Sequence, residues 1–175
     1  MRGMISDSFQ ILTSVAKIKI EHDVESFDCG RPELNRFLKR YAIVNQKANS
    51  AQTYVVCRAN KVIGYYSLTV GSVAYPDAPE RITKGLARYP VPLMILARMA
   101  VDLSAQGMGL GAALLKDAML RTYRAAEFAG IRAIFVHAKD DEAKLFYEHF
   151  NFRPGPTDAH HLYCLIKDIH QLLTG

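Results

Sequence analysis

One passage constrains this chain more than any other. Leu93 to Val101 is a nearly continuous apolar run interrupted only by Arg98, and it leads through Gln106-Gly107-Met108-Gly109-Leu110-Gly111 toward a helical pattern. In that pattern, over Gly109 to Ala129, Leu110, Leu114, Leu115, Ala118 and Met119 recur at helical spacing, and Gly130 follows where a helix C-terminus favours glycine. The apolar run has the composition of a strand buried on both faces. A strand that enters a helix through a glycine-rich loop aims several backbone N–H groups at one place. Glycines let the backbone approach a phosphate without a Cβ in the way, and the helix start adds about half a positive charge. A pyrophosphate is the natural guest. The loop lacks the Gly-Lys-Ser/Thr ending of a P-loop, and its glycines miss the spacing of the dinucleotide fingerprint. Standing alone, it would read equally as a turn that serves strand–helix packing.

The elements around this passage alternate in type. Ile18 to Ile20 is compatible with an edge strand, and Pro32 suits a first helical turn. Leu34, Phe37, Leu38, Tyr41 and Ala42 then predict one apolar helix face. Thr53 to Arg58 and Val62 to Val73, separated by Ala59-Asn60-Lys61, predict a hairpin. Pro76 to Pro92 reads as a surface excursion, Ile131 to His137 as a strand, Asp141 to Phe150 as a short helix, Phe152 and His161 to Ile166 as closing strands, and the C-terminal residues as a frayed element. The fold class is α/β (α+β), with residues 1–175 expected to form a single domain.

Composition narrows the function. With 50% hydrophobic and 22% charged residues, the 175-residue chain has the balance of a globular protein rather than a disordered one. A net charge of +5 leans mildly toward anionic partners. Cys29, Cys57 and Cys164 have no C-x-x-C spacing and fit neither a disulfide framework nor a zinc site, so no metal and a reducing cytoplasm are expected. The chain has no run of about 18 apolar residues and no signal-peptide pattern, so no membrane association is expected.

Downstream, Ala138-Lys139-Asp140-Asp141 leads into Phe146-Tyr147-Glu148-His149-Phe150-Asn151-Phe152. Together with the glycine loop, this resembles the GNAT family of acetyl-coenzyme A-dependent N-acetyltransferases. The resemblance covers roughly residues 53–165 and implies a central mixed, mostly antiparallel sheet flanked by helices. It also implies coenzyme contacts from Met99, Ala100, Val101, Gln106, Gly107, Met108, Gly109, Leu110, Gly111, Ala112, Asp141 and Phe146. Further motifs are similar to the GNAT toxins of bacterial toxin–antitoxin pairs: Phe27-Asp28-Cys29-Gly30, Leu34-Asn35-Arg36-Phe37-Leu38, Gly64-Tyr65-Tyr66-Ser67-Leu68, Pro90-Val91-Pro92 and Ala97-Arg98-Met99-Ala100-Val101-Asp102. That likeness implies acetylation of the free α-amine of aminoacyl-tRNA, a block of translation, and neutralisation by a ribbon-helix-helix antitoxin. It also implies a homodimer, with operator DNA engaged only through the antitoxin complex. A GNAT enzyme acting on a protein N-terminus or a small amine is the alternative. Two departures are small: Gln106 stands where many relatives have Arg, and Asn151 where Gly is common.

The chemistry asks little of a base. An α-amine has a reference pKa near 7.7 to 8.0 against about 10.4 for lysine, so a useful fraction is already neutral. Tyr147, inside the family motif, is the candidate acid for the departing thiolate, and a backbone N–H from Met99 to Val101 the candidate oxyanion donor. Asp102 and His137, at strand ends, read more readily as structural groups than as proton acceptors. Arg98 either reaches a substrate edge or satisfies a buried carboxylate. Candidate tRNA contacts are Arg36, Lys39, Arg40 and Lys47 in the first helical region, Arg81, Lys84 and Arg88 in the excursion, and Arg98.

Overall fold

The computed structural model describes residues 12–174. The N-terminal residues on which the signal-peptide expectation rests lie outside that range. The described strands form a mixed sheet in the order β1-β2-β3-β4-β5-β7-β6: β1 (Ala16–Lys17), β2 (Gln52–Arg58), β3 (Lys61–Val73), β4 (Val91–Val101), β5 (Ala133–His137), β6 (Arg153–Pro154) and β7 (His161–Leu165). The α/β class and mixed sheet expected from the sequence are both present. The described residues divide into two compact units, 12–67 with 98–115 and 68–97 with 116–174.

In the first unit, β1 pairs antiparallel with β2, Ala16 opposite Val55. The edge strand thus lies just before the expected Ile18 to Ile20. Ile18 is buried and its N–H still reaches the Thr53 carbonyl at 2.9 Å. The chain then turns, because the Lys19 N–H donates to His22 Nδ1 at 2.9 Å, and Ile20 is left exposed. β2 and β3 form the expected hairpin through Ala59 and Asn60, both left-handed at φ 50° and 66°, the hand that matches strand twist.

The first helical region begins with α1 (Pro32–Arg36), continues as a π-helical segment (Phe37–Tyr41) and ends as α2 (Ala42–Lys47). The Ala42 N–H reaches back five residues to the Phe37 carbonyl. That wider turn corrects the expected apolar face: Phe37, Leu38 and Ala42 are buried, but Tyr41 is carried outward to 49% exposure. Phe27 and Phe37 pack on Tyr65 at ring separations of 5.6 and 6.1 Å, and the buried Tyr65 hydroxyl donates to the Leu34 carbonyl at 2.8 Å.

In the second unit, the stretch after β3 is only partly the surface excursion expected. It forms a 3₁₀ turn (Tyr75–Asp77) and α3 (Glu80–Thr83), whose Ile82 joins Ala78, Val91, Leu93, Ala133, Tyr163 and Leu165 in a core. Arg132 fastens it, its guanidinium donating to the carbonyls of Ile82 at 2.8 Å and Lys84 at 3.1 Å. β4 runs parallel to β5 from Leu93↔Ala133 to Leu96↔Val136, and β7 lies antiparallel on β5. Burial on both faces of β4 holds only over that ladder; at Ala97 and Arg98 the strand becomes exposed, so Arg98 does not interrupt a buried run.

α4 (Leu110–Ala125) ends before the expected Ala129, in successive turns such as Phe128 N–H to Ala125 C=O at 3.0 Å, and Gly130 is not among the left-handed glycines that cap helices. α5 (Asp141–His149) is capped by Asp140, whose carboxylate accepts the Ala143 N–H at 2.8 Å. The C-terminal residues form α6 (Ile166–Thr174) rather than a frayed tail, held by buried Ile169. Among the described residues no helix is long and apolar enough to cross a membrane.

Candidate active site

The glycine loop is built on the first unit by a side-chain brace. After β4, Asp102 caps a 3₁₀ turn (Leu103–Ala105): its Oδ1 accepts the Ser104 N–H at 3.0 Å and hydroxyl at 2.7 Å, and its Oδ2 accepts the Asp28 N–H at 2.9 Å. Asp28 in turn accepts from the Gly30 N–H and the Asn35 amide, at 2.8 and 3.0 Å, while the Leu103 N–H returns to the Asp28 carbonyl. Burial pushes the Asp102 pKa up, but the donors on Asp28 and Ser104 outweigh it and hold the carboxyl below its ordinary range. Asp28 is lowered too, first by the Gly30 N–H and then by Asn35. Asp102 is thus a carboxylate with both oxygens engaged in holding the turn.

Beyond it the backbone does what only glycine does easily. Gly107 and Gly109 have φ of 79° and 80°, and a Cβ on either would meet open space. The first bond into α4 is Ala113 N–H to Gly109 C=O at 3.1 Å, so the N–H groups ahead of it stand at a helix start without intrahelical acceptors. Gly64 on β3 lets α4 approach, since a Cβ there would lie 3.0 Å from Leu114 and 3.1 Å from Val56. The Gln106 side chain does not point away into solvent: its amide donates to the carbonyls of Val101 at 2.9 Å and Cys29 at 3.3 Å, closing the loop on the strand end.

The loop borders an apolar hollow of about 140 Å³ whose walls include Ile63, Met108, Gly109, Leu110 and Arg58. Arg58, half-buried at the end of β2, was missed from sequence; the signal was a cation at the last strand position before a tight turn. These features fit a phosphate-bearing ligand: open space over left-handed glycines, a helix start and one cation. Met99 and Val101 are half-buried and Ala100 buried on the part of β4 beyond its ladder with β5. Gly111 and Ala112 lie in the first turn of α4 and are half-buried.

In the second unit, Tyr147 is 8% exposed on α5, edge-on to Phe146 at 5.2 Å and Phe152 at 5.6 Å, and burial alone pushes its pKa up to about 12. Asn151 is left-handed at φ 68°, a conformation Asn tolerates, so the departure from Gly is absorbed. Asp141 is exposed and accepts from His160 Nε2 at 2.8 Å.

The basic candidates divide. Arg36, Lys39, Arg40 and Lys47 are exposed on the first unit, where Arg98 places its guanidinium 4.0 Å from the Phe37 ring centroid. On the second unit Arg81 is paired to Asp168 at 2.6 Å, Arg88 lies over Tyr75 at 5.8 Å, and Lys84 is exposed.

Residues 49–154 match the family described as acetyltransferase (GNAT) domain. The chain is 45% identical over 157 residues to the tRNA-acetylating toxin of Mycobacterium tuberculosis, across 90% of this chain and 94% of that protein. It is 27% identical over 162 residues to the probable toxin TacT of Sinorhizobium fredii, across 87% of this chain and 90% of that protein. Among solved structures it is similar to AtaT complexed with acetyl-methionyl-tRNAfMet, with TM-score 0.86 and 29% identity over 93% of this chain and 99% of that one. A mutant AtaT toxin bound to the C-terminus of the antitoxin AtaR and acetyl-CoA gives TM-score 0.79 and 29% identity over 94% and 99%.

Proposed function

This chain belongs to the GNAT acetyltransferase family, and from that membership we propose that it is a toxin that acetylates the free α-amine of aminoacyl-tRNA and so blocks translation. The observation that carries the coenzyme half is the helix start of α4, approached through two left-handed glycines with open space above them. The substrate half is supported by the relative at 45% identity named for tRNA acetylation and by the likeness to AtaT bound to an acetylated tRNA. We read residues 1–175 as one catalytic domain. It acts on charged tRNA in the cytoplasm, works as a homodimer, and is neutralised by a ribbon-helix-helix antitoxin that also carries it to operator DNA.

Acetyl-coenzyme A, when bound, supplies an acetyl thioester whose carbonyl an amine can attack. The loop of Gln106 to Gly111 holds the pyrophosphate through backbone N–H groups, with Arg58 restoring some of the positive charge that Gln106 does not provide. A backbone N–H from Met99 to Val101 donates to the carbonyl oxygen as negative charge develops there. Tyr147 donates its hydroxyl hydrogen to the departing sulfur. No side chain has to strip a proton from an α-amine that is already partly neutral at cellular pH. Asp102 holds the loop, and Asp141 and Phe146 support the start and aromatic face of α5. The tRNA phosphates meet exposed cations: Arg36, Lys39, Arg40 and Arg98 on one unit, and Lys84 and Arg88, with Arg81 contributing less because Asp168 neutralises it, on the other.

The test is mass spectrometry of total charged tRNA incubated with the protein and isotopically labelled acetyl-coenzyme A. Label on the α-amine of the esterified amino acid supports the proposal. Label that appears only on protein N-termini or polyamines transfers the assignment to the alternative GNAT activity.

A further inference from the structure

We infer that His137, Asp158 and His161 form a binding site for a single divalent transition-metal ion of the zinc type. None of the three residues is among those assigned to acetyl transfer, although His160 links the two sets, its Nε2 on Asp141 at 2.8 Å and its Nδ1 3.9 Å from Asp158 Oδ1; the ion is not a cofactor of that reaction. One ligand atom from each of the three residues lies within 4.8 Å of the others. The fold, rather than chain proximity, makes the cluster. His137 and His161 are direct cross-strand partners at the end of the β5–β7 ladder, and their rings stand edge to face with centroids 4.7 Å apart. Asp158 belongs to the turn that enters β7, closed by the His161 N–H on the Asp158 carbonyl at 3.2 Å.

His161 and Asp158 are each held by a constraint of their own. The His161 ring rests edge-on against Phe135 at 5.3 Å. The Asp158 carboxylate accepts the His160 N–H through Oδ1 at 2.8 Å, which leaves Oδ2 facing His161 Nε2 at 3.5 Å. The His160 carbonyl accepts the Ala138 N–H at 2.8 Å, fastening the turn to the residue after β5. Two ligands at zinc-like bond lengths of about 2.0 to 2.1 Å on a tetrahedral ion are about 3.4 Å apart, so the His161–Asp158 pair is already at ligand spacing. His137 offers its ligand atom within 4.8 Å of both, and a side-chain rotation brings it to ligand distance.

Two imidazoles and one carboxylate suit zinc and its neighbours, whereas calcium and magnesium prefer oxygen donors throughout. His137 is exposed and the other two are half-buried, so an ion reaches the site from solvent and keeps a fourth position for water. Cysteine spacing in the sequence gave no hint of it, because the donors are two histidines and an aspartate, and the sheet brings His137 to the Asp158–His161 pair from a distant part of the chain.

The experiment uses the full-length protein with any affinity tag removed, stripped of metal by a chelator, and titrated calorimetrically with Zn²⁺. Co²⁺ absorption serves as a second readout of ligand type and geometry. One equivalent should bind. His137→Ala and His161→Ala should each weaken binding by more than the roughly 10- to 100-fold typical of losing an outer-shell partner, while His149→Ala and Cys29→Ser leave it unchanged. Co²⁺ should give the bands of a four- or five-coordinate nitrogen–oxygen site with no thiolate charge transfer. The inference is overturned if the wild-type protein takes up no Zn²⁺, if binding survives both histidine substitutions, or if it is lost in Cys29→Ser. Circular dichroism on every variant separates lost ligands from lost fold.

Discussion

Replacing Tyr147 by Phe removes one oxygen from a side chain whose ring contacts, with Phe146 at 5.2 Å and Phe152 at 5.6 Å, are left in place. Burial holds the phenol at about 12, so it is fully protonated throughout the physiological range. With a thiol reference near 8.5, outright transfer of that proton to the departing sulfur would be uphill by about 3.5 pK steps, or ~5 kcal/mol at 1.36 kcal/mol each. A lone proton donor would therefore be a poor one. The transfer becomes favourable when it is coupled: the hydroxyl passes its proton to the sulfur as it takes one from the nitrogen of the attacking amine, which in its acylated ammonium form is far more acidic than a phenol at about 12. On that reasoning Tyr147→Phe should slow single-turnover transfer by about 10² to 10⁴, equivalent to ~3 to 5 kcal/mol of barrier. Acetyl-coenzyme A affinity should change by less than about threefold, because the ring remains. The pH dependence carries a sign as well. The raised pKa means that ionised Tyr147 accumulates only as pH climbs toward 12, so the wild-type rate should show no alkaline loss centred on the ordinary tyrosine value of about 10. Rapid-quench measurements between pH 6.5 and 9, where the aminoacyl ester survives the assay, should be free of any descending limb from this group (roughly a tenth ionised at pH 9 for an unperturbed phenol, about a thousandth here). Wild-type single-turnover rates in Tyr147→Phe would refute the acid role. Equal losses of coenzyme affinity and rate would assign the residue to packing instead.

Gly109→Asp should raise the acetyl-coenzyme A dissociation constant at least about tenfold in a calorimetric titration, since it sets a negative charge at the α4 start and strains a backbone held at φ 80°; the fold should persist, because the new Cβ meets no protein atom and the strain stays within the loop. Reversing Arg81, Lys84 and Arg88 to Glu should lower activity on charged tRNA while leaving acetyl-coenzyme A binding intact, and normal acetylation across a salt series would move the tRNA surface to Arg36, Lys39 and Arg40. Asp102→Asn should cost about 1.5 to 3 kcal/mol in urea unfolding at pH 7, the range for hydrogen bonds to a charged group. Because Asp28 and Asp102 are both lowered in the folded protein, their stabilisation is complete above the ordinary carboxylate range near pH 4 and fades as pH falls through the lower folded values. The Asn variant should therefore show a flatter acid limb than wild type below pH 4.

What could be read from sequence was whatever depends on local pattern. The hairpin turn at Ala59-Asn60, the helix start at Pro32 and the strand–loop–helix passage each rest on residues within a turn or two of one another, and each appears in place. The misses have tertiary causes. Tyr41 counts as apolar-face on a 3.6-residue repeat, and only the π segment reveals that the repeat is broken. Ile82 looked like part of a surface excursion because nothing nearby shows that Ala133 and Leu165 would cover it. Arg98 looked out of place in an apolar run because composition does not reveal where β4 ceases to be covered. Its position over Phe37 becomes legible only when a residue from the first helical region and one from β4 are seen together. Arg58 escaped notice for the same reason: an arginine ending a strand is unremarkable until the glycine loop is found beside it.

The motifs that carried the likeness to toxins turn out to be supports more than reagents. Asp28, Gly30 and Asn35 form a hydrogen-bonded knot that ends on Asp102. Phe27, Phe37 and Tyr65 form an aromatic stack beneath it, and Gly64 admits α4 to β3. The knot holds a turn whose next residues are Gln106 to Gly111, so its effect on chemistry runs through the positions of backbone N–H groups that no side chain can replace. A loop of left-handed glycines has more conformational freedom to lose than any other backbone, and a hydrogen-bonded anchor at its entry and a helix at its exit limit that freedom before ligand arrives. Substitutions in the knot should therefore act on acetyl-coenzyme A affinity without touching the coenzyme. On the proposed function, substrate choice lies elsewhere, in the exposed cations and in whatever surrounds the amine, which these scaffold residues leave free to vary.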